Sequence, residues 1–181
     1  MRGLAPATPE IAGEARRTML VNAAVLIATV VAMEIVALAV HKYVMHGPGW
    51  GWHRSHHVAH AHTFEANDLY AVVFAALSLG LILFSPASGA LYWIGVGMGV
   101  YGVLYFVVHD GLVHQRWPFR HVPKNPYLKR LVQAHRLHHA VEDRVGAVSF
   151  GFLYAPPVRL LKAQLRGGAG AGAPSAEKVG H

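Results

Sequence analysis

The chain has 181 residues, of which 54% are hydrophobic and only 14% are charged, so a single domain is expected and the composition is too apolar for an ordinary soluble domain. Cysteine is absent, which excludes disulfides, iron–sulfur clusters held by the protein, thiolate-ligated haem and cysteine zinc sites. The formal net charge of +7 lies beside apolar segments, which favours an anionic membrane surface over nucleic acid as its partner.

Three apolar segments are predicted to form membrane helices. The first covers residues 18–40 and follows a loose N-terminal tail over 1–17. It leads into a histidine pair without a convincing cleavage site, so we interpret it as a membrane helix rather than a signal peptide. Its only ionisable residue is Glu34. The second and third segments cover 69–84 and 90–108, and their lengths approach the roughly 20 residues that span a bilayer.

The C-terminal part is predicted to lie at the membrane face. Residues 125–139 favour an interfacial helix, and 158–166 favour a short basic amphipathic helix that follows two prolines. Residues 167–181 are rich in Gly, Ala and Pro and are predicted to be disordered. The expected fold is therefore an all-α integral membrane bundle of three to four spans, with its functional domain over residues 18–166.

Ten histidines form two doublets and two triplets, in the order doublet, triplet, doublet, triplet. On a helix, positions i, i+3 and i+4 share one face, so each HxxHH triplet should aim three rings in one direction. The HxxxxH doublets would turn their second ring away on an ideal α-helix, which favours an unwinding helix end or ligands of two different metals. Neutral imidazole is the commonest metal ligand. The candidate metal ligands are His41, His46, His53, His56, His57, His109, His114, His135, His138 and His139.

The histidine motifs are predicted to share one face of the membrane. The first helix ends at the first doublet, and the second and third helices form a hairpin that returns at the second doublet. Many basic residues lie on that side whereas the hairpin turn carries no charge, so the positive-inside rule places the motifs in the cytoplasm. Three spans would leave the N-terminus outside, against which Arg2, Arg16 and Arg17 argue mildly, so a fourth span or a re-entrant segment stays open.

The motif order, together with HDGLVHQRWPF, AHRLHHAV and VSFGFLYAPP, closely resembles the bacterial β-carotene 3-hydroxylases, within the wider superfamily of membrane fatty-acid hydroxylases and sterol desaturases. The resemblance covers about residues 20–165. It implies two non-haem iron ions, O2 as co-substrate, and hydroxylation at C3 and C3′ of carotenoid β-ionone rings. The expected conversions run from β-carotene through β-cryptoxanthin to zeaxanthin, with canthaxanthin to astaxanthin as an open alternative.

The same resemblance implies a bacterial inner-membrane location and electrons from a ferredoxin and its reductase. Ten histidines over two irons allow about five per metal, which leaves a position for O2 in a six-coordinate site. No nucleotide motif remains, because GMGVYG lies in an apolar helix rather than after a strand. A basic surface suits an acidic electron donor, with anchoring to anionic lipid as the alternative; it comprises Arg116, Arg120, Lys124, Lys129 and Arg130.

Several polar residues are candidates to support the metal ligands. Metal-bound histidines usually donate their other ring N–H to a carboxylate or carbonyl. Glu34 lies seven residues before His41 on the same helix face, and it would orient that ring, pass a proton or be merely hydrogen-bonded. The other candidates are Asp68 and Asp110, followed by Asn67, Glu142 and Asp143.

Other notable residues are interpreted as surface, structural or packing residues rather than as parts of the site. His60 and His62 are expected in a surface loop and His181 in the tail, and His121 is interpreted as structural rather than as lining the site. The GxxxG formed by Gly95 and Gly99 indicates close helix packing, with a groove for a rigid polyene as the alternative.

Two other functions stay open. The same metal centre would serve a fatty-acid or sterol hydroxylase or desaturase, although the short chain and the carotenoid-type motifs argue against it. A membrane metal transporter is the non-enzyme alternative, although transporters usually keep their ligands near the middle of the membrane. A bis-histidine haem carrier needs isolated axial ligands rather than triplets, and a zinc protease would need an HExxH motif.

Overall fold

The computed structural model describes residues 8–58, 64–118 and 120–171, and every regular element in those ranges is helical. Two of the helices run directly into π-helical segments, in which the hydrogen bonds close from i to i+5. The elements in chain order are α1 (Pro9–Ala39), a first π-helical segment (Val40–Met45), α2 (Trp50–His57), α3 (Asp68–Phe84), α4 (Ala90–Tyr105), a second π-helical segment (Phe106–Val113), α5 (Pro126–His139) and α6 (Val158–Ala171).

Helix α1 begins nine residues earlier than predicted, at Pro9. Proline is favoured at the first helical position because it lacks an N–H that would have no partner there, and Glu10 in the first turn complements the helix dipole. The prediction of a loose tail over 1–17 is therefore wrong for residues 9–17, while residues 1–7 lie outside the described ranges.

Within the described ranges, two helical stretches are long and apolar enough to cross a membrane, by length and composition. They are Pro9–Met45, with 37 residues and an 18-residue window of mean hydropathy 2.6, and Ala90–Val113, with 24 residues and such a window of mean hydropathy 1.7. Helix α3 is also apolar but is shorter, with 17 residues.

The chain divides into two compact units, of which the first comprises Met1–Met33 and Tyr70–Val103. Within this unit α3 and α4 approach closely, because a Cβ atom at Gly95 would lie 2.9 Å from the carbonyl oxygen of Ser78. The Ser78 hydroxyl donates to the Gly95 carbonyl at 2.7 Å. A Cβ at Gly99 would lie 3.2 Å from the same hydroxyl. The GxxxG positions thus lie where the two helices pack, as the first interpretation expected.

The second unit comprises Glu34–Leu69 and Leu104–His181 and contains all ten candidate ligands. The side chain of Asn125 caps α5 by accepting from the N–H groups of Tyr127 and Leu128. Helix α6 follows two prolines and continues to Ala171, five residues past its predicted end, so the prediction of a disordered tail from 167 is wrong for 167–171. Residues 172–181 lie outside the described ranges. A small apolar core supports these helices, formed by Leu131, Ala134, Val148, Ala155 and Leu161.

Candidate metal centre

Each histidine doublet begins inside a π-helical segment and ends at the residue that caps it. The N–H of His46 donates to the carbonyl of His41 at 3.0 Å, and the N–H of His114 donates to that of His109 at 2.9 Å. A turn closed from i to i+5 brings residues five apart onto one face, and such segments often occur at functional sites. Both earlier alternatives are wrong, because the helix widens instead of unwinding and each doublet points into a single cluster.

The two triplets divide their rings between two clusters. On α2, His53 and His57 point into one cluster while His56 points into the other. On α5, His135 and His139 share a cluster and His138 joins the opposite one. The expectation that each triplet aims all its rings together is therefore wrong, because the i, i+4 pair and the i+3 ring diverge by enough to serve neighbouring positions.

The resulting clusters have the same construction. Each contains one π-helical doublet, one i, i+4 pair from a triplet, and one ring from the other triplet. We call them cluster A and cluster B. Cluster A comprises His41, His46, His53, His57 and His138. Cluster B comprises His56, His109, His114, His135 and His139.

Hydrogen bonds at the outer nitrogens fix the orientation of the rings. In cluster A the Nδ1 atoms of all five histidines lie 2.7–3.0 Å from carbonyl or amide oxygens. These oxygens only accept, so each Nδ1 carries the proton and each Nε2 presents a lone pair. The lone pairs face one another, with Nε2 atoms 3.1 Å apart for His41 and His53 and 3.2 Å apart for His46 and His138. Inward lone pairs repel each other unless a cation lies among them.

The inner nitrogens match the requirements of a metal ion. Metal–imidazole bonds of about 2.1 Å set neighbouring ligand nitrogens about 3 Å apart around one ion. The Nε2 contacts in the two clusters span 2.8–3.2 Å, including 2.8 Å between His114 and His135 and 2.9 Å between His135 and His139. Five imidazoles leave one position of an octahedron free. The donor set therefore fits one metal ion in each cluster, and imidazole suits iron among the transition metals.

Burial keeps these imidazoles neutral. Desolvation lowers the pKa of His53 to about 3, of His57 and His114 to about 4, and of His139 to about 2. Burial also lowers the pKa of His46, His56, His135 and His138, and neighbouring imidazoles reinforce the effect in most of the eight. Neutral imidazole is the metal-binding form, so the rings need no deprotonation near pH 7.

The acceptors around cluster A come mainly from the backbone that follows α5. Val148 accepts from His138 and Phe150 accepts from His41, with the intervening Ser149 at a φ of 62°. A left-handed conformation is costly for a residue with a Cβ and persists where the surroundings impose it. Here it lies between two carbonyls that hold two histidines of one cluster. Sequence reasoning had no signal for these carbonyls, because any residue supplies one.

In cluster B, carboxylates hold the outer nitrogens of two rings, His56 and His109. Glu65 lies 2.7 Å from Nδ1 of His56, and Asp110 lies 2.7 Å from Nδ1 of His109. Asp68, by contrast, forms a bidentate ion pair with Arg116, with N–O distances of 2.8 and 2.9 Å. That hydrogen bond raises the pKa of Arg116 above its ordinary value, so the guanidinium stays charged and is engaged inside the protein.

Sequence reasoning missed Glu65 and selected two acidic residues that lie elsewhere. Glu142 and Asp143 are exposed, and it is the carbonyls of the flanking Val141 and Arg144 that accept from cluster rings. Glu65 lies nine residues after His56 in an irregular stretch, so no helical spacing connects the two. Asn67 was selected correctly as a neighbour, and its side-chain oxygen lies 2.7 Å from Nδ1 of His53.

Glu34 supports the centre through a loop. Its Oε1 accepts from the N–H groups of Phe152, Leu153 and Tyr154, each at 2.9 Å. This fixes the segment whose Phe150 carbonyl holds His41. Of the three roles considered for Glu34, the geometry favours orientation of His41, reached through the backbone.

Two aromatic rings cover the imidazoles. Phe152 stacks on His41 with ring centroids 5.1 Å apart and meets His109 edge-on at 5.3 Å, so it touches both clusters. Tyr105 stacks on His109 at 4.5 Å. Such apolar cover limits the access of water to the inner nitrogens.

The remaining histidines play no described part in the clusters. His121 is exposed, and its carbonyl accepts from the side chain of Gln115. His60, His62 and His181 lie outside the described residues.

Comparison with known proteins identifies relatives over most of the chain. A family model described as fatty acid hydroxylase matches residues 26–156. A beta-carotene hydroxylase from Pantoea ananas is 62% identical over 146 residues, covering 80% of this chain and 83% of that protein. One from Paracoccus sp. (strain PC1) is 58% identical, covering 78% and 89%. Beta-carotene 3-hydroxylase 1, chloroplastic, from Arabidopsis thaliana is 35% identical, covering 74% and 44%. No solved structure matches the chain.

Proposed function

The chain belongs to the fatty acid hydroxylase family, and from that premise we propose that it is an integral membrane di-iron monooxygenase that hydroxylates C3 and C3′ of carotenoid β-ionone rings. The observation that carries the proposal is the convergence of ten imidazole nitrogens into two five-membered clusters. The names of the bacterial relatives support the substrate class. O2 is the co-substrate, and the bacterial inner membrane is the expected location.

Each part of the second unit has a role in this reaction. Bound iron would supply the activation of O2 and the insertion of one oxygen atom into a C–H bond. The ten histidines would hold the two ions, and the outer acceptors keep every proton of cluster A on Nδ1 so that Nε2 stays available. Phe152 and Tyr105 exclude water from the rings, and Glu34 keeps Phe152 in place.

The direct test is product analysis in a bacterium that accumulates β-carotene. The wild-type chain should yield β-cryptoxanthin and zeaxanthin, and His138→Ala, which removes a fully buried ligand of cluster A, should yield neither. The matched control is His121→Ala, which removes an exposed histidine outside both clusters and should retain the wild-type yield. Equal expression and membrane insertion of all three chains are checked by immunoblotting.

The failures of this test are distinguishable. Hydroxylated fatty acid or sterol without hydroxylated carotenoid would replace the substrate class and keep the metal centre. Purified wild-type protein that binds no iron and forms no product would contradict the enzyme itself and favour a metal transporter.

We propose further that the chain spans the membrane three times with the clusters on the cytoplasmic side, over a hydroxylase domain at residues 18–166. The uncharged turn between α3 and α4 and the basic residues near the clusters support this orientation. Because the chain has no cysteine, single cysteines can be added without background. Ser88→Cys in the turn should react with a membrane-impermeant maleimide added to spheroplasts, whereas Glu142→Cys should react only after lysis. The reverse pattern would invert the topology, and an additional span between residues 88 and 142 would make the two positions behave alike.

Electrons are proposed to come from a ferredoxin and its reductase, which dock on the basic surface. Arg116 is engaged with Asp68, so the exposed Arg120, Lys124 and Lys129 are better placed than Arg116 for an acidic partner. Charge reversal of Lys129 and Arg130 should raise the KM for ferredoxin and leave membrane association intact. The matched control reverses Arg159 and Lys162 on α6, both exposed. Equal loss of donor coupling and membrane association in the first variant would favour lipid anchoring.

A further inference from the structure

Clusters A and B differ in the charge of the groups that hold their outer nitrogens. The five acceptors in cluster A are neutral, being four backbone carbonyls and the amide of Asn67. In cluster B the acceptors of His56 and His109 are the carboxylates of Glu65 and Asp110. The similar construction of the clusters makes this difference in charge their clearest chemical distinction.

The surrounding ion pair does not remove the difference. Arg116 lies 2.8 Å from Asp68 but 3.7 Å from Asp110, so its charge is directed mainly at Asp68. The Glu65 side chain is 9% exposed and that of Asp110 is 15% exposed, which limits screening by water. Two largely buried negative charges therefore act on cluster B through imidazole rings.

A carboxylate that pulls on Nδ1–H increases the basicity of Nε2 on the same ring. Such acceptors typically change metal affinity by about 10–100-fold. Added negative charge near a metal also stabilises its oxidised state relative to its reduced state, which lowers the reduction potential. Neutral carbonyls orient a ring equally well but supply little of this effect.

We propose that the two metal positions are chemically unequal, with cluster B binding its ion more tightly and undergoing oxidation at a lower potential than cluster A. Glu65 and Asp110 are the positioning residues that create the inequality through His56 and His109. This inference rests on the proposed two-iron centre. When ferrous iron at B is oxidised to ferric iron in a titration, one electron passes to a soluble one-electron oxidant and no bond in the protein forms or breaks.

The chain offers matched isosteric substitutions on both sides. Glu65→Gln removes the negative charge at cluster B and keeps an acceptor, while Asn67→Asp adds a charge beside His53 in cluster A. The full-length protein in detergent is loaded anaerobically with ⁵⁷Fe(II) and oxidised stepwise with ferricyanide, and Mössbauer spectra resolve the two ions. One ferrous signal of the wild type should disappear before the other. Each substitution should bring the oxidation of the two ions closer together, and each should do so by shifting the ferrous signal of a different ion.

A second measurement uses cobalt in place of iron. Glu65→Gln should weaken the binding of one of two Co²⁺ ions by about 10–100-fold and leave the other unchanged. If Glu65→Gln fails to fold, Asp110→Asn provides the same measurement at His109.

Three results would overturn the inequality: simultaneous oxidation of both wild-type irons, equal shifts of both signals in each variant, or loss of both ions from a folded Glu65→Gln protein. In all three the two-iron centre itself stands, because the wild type still binds two ions. Fewer than two metal ions per wild-type chain would instead contradict the proposed centre.

Discussion

The two units of the chain expose and bury opposite kinds of residue. In the first, large apolar side chains such as Val72, Leu79 and Leu83 are more than half exposed, while the polar Ser78 is buried. In the second, imidazoles are buried beside a small apolar core, including His41 at 1% and His138 at 0% exposure. The first arrangement is favourable when lipid covers the apolar surface, and the second when a cation occupies the convergent lone pairs.

Each unit is therefore favourable only with a component outside the chain, which is lipid for the first unit and a cation for the second. Many large apolar side chains of the first unit are exposed, and glycine and serine make close contacts between its helices. The second unit holds facing nitrogen lone pairs that repel each other without a metal. Substitutions should therefore act through packing in the first unit and through metal content in the second.

The strongest effect is expected from single histidine substitutions on α2. His53 belongs to cluster A and His56 to cluster B, although they lie only three positions apart. His53→Ala and His56→Ala should each reduce hydroxylated product more than 100-fold. Each substitution removes a metal ligand and also leaves the buried hydrogen-bond partner of that ring unpaired. Mössbauer spectra should show that each variant disturbs a different iron. A disturbance of the same iron in both variants would contradict the division into two clusters.

That division could not be read from the histidine motifs alone. The spacing predicted ten ligands gathered at one place, and the structure brings those ten together in two clusters. The histidine spacing could not reveal the π-helical turns, because an HxxxxH pattern in an apolar context is compatible with a helix end of any kind. His56 and His138 also join the cluster opposite to their triplet partners, which depends on how α2 and α5 face each other.

The groups that accept hydrogen bonds from the Nδ1 atoms were the least predictable part of the site, for a physical reason. Acceptors such as the Phe150 and Val141 carbonyls belong to the backbone and leave no trace in residue type. The all-helical fold was predictable because long apolar runs and helical histidine spacing are strong local signals. The residues at which helices start were less predictable, because local capping residues as well as apolar composition decide each boundary. The start of α1 at Pro9 is an example.

A smaller but still large effect is expected from Glu34, which belongs to the second unit although it lies in the apolar α1. Glu34→Ala leaves three backbone N–H groups without their acceptor, and that of the buried Phe152 should cost about 1–3 kcal/mol when left unpaired. We expect lower bound iron and at least tenfold lower turnover, with Glu34→Gln intermediate because an amide oxygen still accepts. The iron content and kcat of purified proteins provide the check. Unchanged iron content and turnover in Glu34→Ala would contradict the proposal that this loop supports the metal centre.

The smallest effect separates packing from metal binding most cleanly, and it uses two glycines of α4 in the first unit. A Cβ at Gly95 would lie 2.9 Å from the Cβ of Leu81, whereas nothing lies within 4 Å of a Cβ at Gly102. Gly95→Ala should destabilise the protein by about 1–3 kcal/mol through overpacking. Gly102→Ala should stabilise it by up to about 1 kcal/mol through helix propensity. Both variants should keep two irons per chain, so thermal unfolding in detergent should change while metal content does not. Loss of iron from Gly95→Ala would show that packing in the first unit reaches the metal centre after all.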